Sequence, residues 1–139
     1  MIKKFLSKAI LTTAIIGCIG GAGVMNVSAG NVSLDVTASN VSGMVSKDPY
    51  SKMVAKSDAE QNYYVKLKSL TNCSRIYFTA YSSAHEKVSS KWAYWKSDLS
   101  KTQKKSYDLQ TALAGAKYYL YATAPSGYGN VRAIGTYCP

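Results

Sequence analysis

Raw material for catalysis is scarce in this sequence, which has one histidine, three cysteines and seven acidic residues in 139 positions. A lone histidine cannot build a multi-histidine metal site. The cysteines, Cys18, Cys73 and Cys138, show none of the C-x-x-C spacing of zinc or redox motifs. No G-x-S-x-G, phosphate-binding loop or dinucleotide fingerprint occurs. His85-Glu86 is the nearest approach to an acid–base pair. On an extended chain, however, sequence neighbours face opposite ways, and the surrounding Ser and Ala residues spell a surface turn. Glu86, Asp98 and Asp108 supply carboxylates for glycoside hydrolysis only on paper, because scattered acids can always be paired that way. The sequence therefore predicts no catalytic residue, no metal and no cofactor, and a protein that is not an enzyme.

Charge is missing altogether between Ala9 and Val27, after the lysines at 3, 4 and 8. This run ends on Val27-Ser28-Ala29, a small-residue cleavage site, so residues 1–29 read as a signal peptide and 30–139 as the mature domain. Glycines dilute the run as a membrane anchor, and no transmembrane span is expected in the mature form. Ile15-Ile16-Gly17-Cys18 also resembles a lipobox, which would make Cys18 an acylated N-terminus on the outer face of a membrane. The apolar residues that follow Cys18 favour the plain signal and a secreted, extracellular protein. Asn26, Asn31, Asn40 and Asn72 begin Asn-x-Ser sequons, read as incidental in a bacterial product.

The mature segment of 110 residues has the size of one domain. Three of the 17 basic residues and none of the acidic ones fall within 1–29, leaving a net charge of +7. That charge suits an anionic partner, such as an envelope polymer or acidic polysaccharide, or else simple solubility. Nucleic acid is not expected outside the cell. In an exported chain the remaining pair, Cys73 and Cys138, reads as a disulfide.

Helical periodicity is absent too. Alternation with period two marks Val32–Ser39, Tyr63–Leu70, Arg75–Tyr81, Val88–Lys96, Tyr107 with Leu109, Lys117–Thr123 and Val131–Tyr137. Only residues 51–61 have a weak helical reading, and the SDLSKTQKKS stretch reads as a turn region. About seven strands separated by turn chemistry predict an all-β fold, a single antiparallel β-sandwich.

Aromatic residues are what the mature chain has in excess. All 12 tyrosines and both tryptophans lie beyond residue 30. Neighbours on a strand alternate faces, so not all can be buried. Tyr64, Tyr77, Tyr81, Trp92, Trp95, Tyr118 and Tyr121 are the candidate binding face, suited to stacking on sugar rings. Tyrosine is equally a good strand former on a half-wet sheet. The expected role is non-enzymatic binding at a cell envelope or polysaccharide surface, with a bacteriocin-like antimicrobial as the alternative.

Leu113-Ala114-Gly115-Ala116-Lys117-Tyr118 resembles the tyrosine corner of fibronectin type III sandwiches, which implies a hydroxyl bonded back to the chain at a turn between sheets. Across the whole chain, Tyr63–Leu67, Trp92–Trp95, Tyr119–Ala122 and Gly135–Tyr137 resemble a family of small secreted proteins of Gram-positive bacteria. That resemblance implies export and a β fold, and lends no activity.

Overall fold

In a computed structural model, residues 32–108 and 112–139 are described; the expected signal peptide, Cys18, Asn26, Asn31 and Leu109 lie outside the described residues. The described residues form an all-β sandwich of eight strands. These are β1 Val32–Ala38, β2 Val54–Ala55, β3 Asn62–Thr71, β4 Arg75–Ser82, β5 Trp92–Trp95, β6 Thr102–Ser106, β7 Lys117–Thr123 and β8 Val131–Cys138. A 3₁₀ turn, Lys96–Asp98, follows β5.

The strands form two four-stranded antiparallel sheets, in the orders β1-β8-β3-β6 and β2-β7-β4-β5. The pairs β4·β5, β3·β6, β2·β7 and β1·β8 are nested, as in a chain folded double about the β4–β5 connection and then rolled. This is the jelly-roll topology. It differs from immunoglobulin-type sandwiches, whose last two strands share a sheet. Here β7 and β8 lie in opposite sheets. The hydroxyl of Tyr118 does accept a hydrogen bond from the backbone N–H of Leu113 at 2.8 Å, anchoring the chain just before β7.

Alternation decides which faces meet. Leu34, Val36, Tyr63, Val65, Leu67, Val131, Ala133 and Tyr137 of the first sheet pack against Ile76, Phe78, Ala80, Tyr94, Tyr118, Leu120 and Ala122 of the second. The parity of β3 changes at a bulge: Leu67 pairs with Gly135 and Ser69 with Ile134, leaving Lys68 as the extra residue. That one-residue slip turns Leu70 inward although it lies three positions after Leu67. The buried hydroxyl of Tyr94 accepts from the N–H of Leu67 (3.2 Å). It lies 2.7 and 2.6 Å from the carbonyls of Asp98 and Lys101, fastening the β5–β6 connection to the opposite sheet. Lys56 is buried as well, with its Nζ 2.8 Å from Asp58 Oδ1 and 3.2 Å from the carbonyl of Asn62.

Three sequence expectations are corrected. Residues 51–61 hold the short strand β2, not a helix. The strand expected at Tyr107 lies just before it, at Thr102–Ser106, inside the stretch read as a turn. Its TQKKS sequence has no apolar alternation because β6 is an edge strand, and exposed lysines are what protects such an edge from further pairing.

The third correction concerns Cys73, which is a free thiol and not bonded to Cys138. The β3·β8 register gives the reason. Cys138 pairs with Tyr64 at one end of the ladder, whereas Cys73 follows Thr71, the partner of Arg132, at the other end. Seven strand residues put the two about 23 Å apart, against a Cα separation of about 7 Å at most for a disulfide. Cys73→Ser should accordingly change stability by no more than about 0.5 kcal/mol in chemical denaturation. A loss of about 4 kcal/mol, the value of a long-loop disulfide, would contradict this placement.

Candidate functional site

The outer face of the second sheet carries an unusual amount of aromatic surface. Leu120 and Ala122 of β7 point into the core, so Tyr119 and Tyr121 point out. On β4, Phe78 and Ala80 point inward and Tyr77 and Tyr81 outward. The register places Tyr81 opposite Tyr119. A fourth tyrosine joins them from the segment before β2. There the N–H of Ala122 donates to the carbonyl of Pro49 (2.7 Å), the N–H of Ser51 donates to the carbonyl of Leu120 (2.9 Å), and the N–H of Leu120 donates to the Ser51 hydroxyl oxygen (2.8 Å). Proline suits this edge position because its carbonyl alone is used. Tyr50 is thereby held beside Tyr121.

The four rings make one cluster. Tyr81 stacks on Tyr119 with centroids 5.6 Å apart, and Tyr50 meets Tyr121 at 5.1 Å and Tyr119 at 5.8 Å. Tyr81 meets Tyr121 edge-on at 6.0 Å. Such offset and edge-to-face contacts are the favourable arrangements of aromatic pairs. With Met53, Ser51 and His85 they line a groove of about 700 Å³, in the size range of small-ligand sites. Tyr119 is its floor and nearly buried, while Tyr50 is 55% exposed on its rim. Burial, reinforced by the neighbouring Tyr50 and Tyr81, raises the pKa of the Tyr119 hydroxyl, so it stays a neutral donor and acceptor at physiological pH.

His85 closes one end. It occupies the hairpin turn after β4, where its N–H donates to the carbonyl of Ser82 and its φ is +63°. This left-handed conformation, sparsely populated for a residue with a side chain, swings the imidazole over Tyr119. Nδ1 lies 2.9 Å from the Tyr119 hydroxyl and the ring centroids are 5.9 Å apart. Among the described residues, no carboxylate lines the groove. The site thus offers ring faces, tyrosine hydroxyls and one imidazole, a set that stacks and hydrogen-bonds.

Of the residues singled out in the sequence, the structure brings Tyr81 and Tyr121 into the groove. It sets Tyr77 and Trp95 further along the same face. Three others lie elsewhere. Trp92 pairs with inward-facing Phe78, and its indole N–H donates to the Tyr63 hydroxyl at 2.8 Å. Tyr118 is buried in the core. Tyr64 faces outward from the first sheet, donating to Glu60 Oε1 at 2.7 Å beneath Lys104. That bond, with those from Asn62 and Lys104, outweighs the burial of Glu60 and lowers its carboxyl pKa.

Tyr119, Tyr50, Met53 and His85 are members of the groove that sequence reasoning did not assign to it. Tyr119 was within reach of period-two alternation, since Tyr118 and Tyr121 cannot share a strand face. Tyr50 and Met53 carried no local signal, because a non-local pairing with β7 places them.

A second, polar cleft lies on the outer face of the first sheet. Arg132 Nε and Nη2 there form a bidentate pair with Asp35 at 2.9 and 2.8 Å, which occupies the guanidinium. Among the described residues no group of acidic, histidine and cysteine side chains is arranged to hold a metal, and no helix is long and apolar enough to cross a membrane. No protein-family model, curated protein or solved structure matches the chain. The functional reading therefore rests on the groove.

Proposed function

We propose that this is an exported, non-enzymatic binding protein whose tyrosine groove takes sugar rings of an anionic cell-envelope polymer. The observation that carries the reading is the convergence of Tyr50, Tyr81, Tyr119 and Tyr121 on one exposed groove. Most soluble domains scatter their exposed aromatics; a contiguous apolar patch rimmed by polar atoms marks a binding surface. Aromatic faces suit the C–H faces of pyranose rings, and the phenol hydroxyls and His85 supply hydrogen bonds at their edges. The positive charge of the chain favours approach to an anionic polymer. Export is supported by the lysine-led apolar segment and the Val27-Ser28-Ala29 site.

The test is retention on purified Gram-positive cell walls at low salt. The wild-type protein should be retained and released by rising salt. Tyr81→Ala and Tyr121→Ala should each weaken binding about tenfold or more, as loss of a central aromatic anchor does. Both side chains are partly exposed on the outer face, so the sandwich itself should remain. A wild-type protein that passes unretained at low salt contradicts the reading.

A further inference from the structure

The groove is one end of a longer surface. Along β4, the outward positions continue from Tyr81 through Thr79, itself covered at 4% exposure, to Tyr77 and Arg75, a run of seven residues spanning about 20 Å. At the far end β5 adds Trp95, directly opposite Arg75. The guanidinium of Arg75 lies 4.9 Å from the ring of Trp95 and 5.5 Å from that of Tyr77, held between the two aromatics. Lys91 places its ammonium 5.2 Å from the other occupant of that strip, the Tyr77 ring.

Both cations lack an acidic partner among the described ion pairs, in contrast to Arg132, which is paired with Asp35. Cation–π contact with two rings holds the guanidinium in place without using its N–H donors. Those donors remain available for bidentate bonding to a planar carboxylate or a phosphate. Trp95 itself is 43% exposed, which leaves indole surface beside the charge.

Resting on the proposed groove, we infer that Arg75, held by Trp95 and Tyr77 and seconded by Lys91, is an anion subsite. It takes the carboxylate or phosphate of a glycan whose sugar rings lie in the tyrosine groove. The ligand is then an extended anionic polysaccharide several units long, read by stacking at one end and by charge-assisted hydrogen bonds at the other. A neutral glycan satisfies only the first.

The experiment measures wall affinity against salt for the full-length secreted protein and its variants. Arg75→Ala should weaken binding about tenfold at low salt and flatten the salt dependence, because a charge-assisted bond and its released counterion are lost. Arg75→Lys should keep the salt slope and recover part of the affinity. Tyr81→Ala should lower affinity and leave the slope unchanged. Walls stripped of phosphodiester-linked polymer by hydrofluoric acid separate the two sources: lost affinity assigns the phosphate, retained affinity the remaining carboxylates. If Tyr81→Ala loses binding while Arg75→Ala matches the wild type in affinity and slope, the anion subsite is overturned and the groove stands. If the wild-type protein does not bind walls at all, both are overturned.

Discussion

Gly135→Ala should cost at least about 3 kcal/mol of folding stability, more than alanine at any other described glycine. Gly135 lies on the inward face of β8, between Ala133 and Tyr137, paired with Leu34 on one side and Leu67 on the other. A Cβ there would run into the backbone carbonyl oxygen of Lys66, with the Cα of Leu67 only 2.7 Å and the carbonyl carbon of Lys66 2.9 Å away. Backbone atoms cannot rotate aside as a side chain can. Relief requires β3 and β8 to separate next to the Lys68 bulge, in the middle of the first sheet. Gly115 is the control. It sits at φ +82° with open space around it, so Gly115→Ala costs only the strain of a left-handed residue, about 1 kcal/mol. Urea denaturation of both variants checks this. Equal losses at the two positions would contradict the close approach.

Alkaline pH should unfold the domain steeply. Burial raises the pKa of the Tyr63, Tyr107 and Tyr137 hydroxyls, Tyr137 most strongly, and the three rings pack together within the core. In the unfolded chain each ionises near pH 10, while in the folded protein each remains neutral. Above pH 10 the unfolded state therefore binds fewer protons, and stability falls as pH rises. Each group still neutral in the folded protein steepens the loss by about 1.4 kcal/mol per pH unit until its folded pKa is reached. A domain with net stability of about 5–15 kcal/mol is then lost within a few units. The check is denaturation followed by circular dichroism between pH 8 and 12, alongside tyrosinate absorbance. Tyrosinate should appear in step with unfolding. Full ionisation of all 12 tyrosines with the fold intact would contradict the buried cluster.

The strands that were legible in the sequence are those with one wet face. In β1 and β8 the alternation of buried and exposed residues follows that of apolar and polar ones, while β3, β4 and β7 keep their inward aliphatic and aromatic residues in step but carry tyrosines on the outer face as well. The illegible strands are edges. β2 is two residues long, and β6 buries too little of TQKKS to impress a pattern on it. The same distinction runs through the site. Tyr77, Tyr81 and Tyr121 follow from local parity, but which sheet a face belongs to does not. Tyr64 has the outward parity and sits on the wrong sheet, and Trp92 has an aromatic's composition and an inward register. The cysteine pair failed for a related reason. Cys73 and Cys138 are joined or separated by the register of β3 on β8, a long-range quantity that spacing along the chain does not carry.

The outer face of the second sheet as binding surface is tested most directly by nuclear magnetic resonance. Soluble fragments of anionic wall glycan would be titrated into the isotope-labelled protein and amide shifts mapped onto the fold. Shifts should concentrate on Tyr50–Met53, the outward positions of β4 and β7, and the His85 turn, extending to Arg75 and Trp95. Shifts confined to the other sheet, around Asp35, Thr37 and Arg132, or no shifts at millimolar ligand, would contradict it.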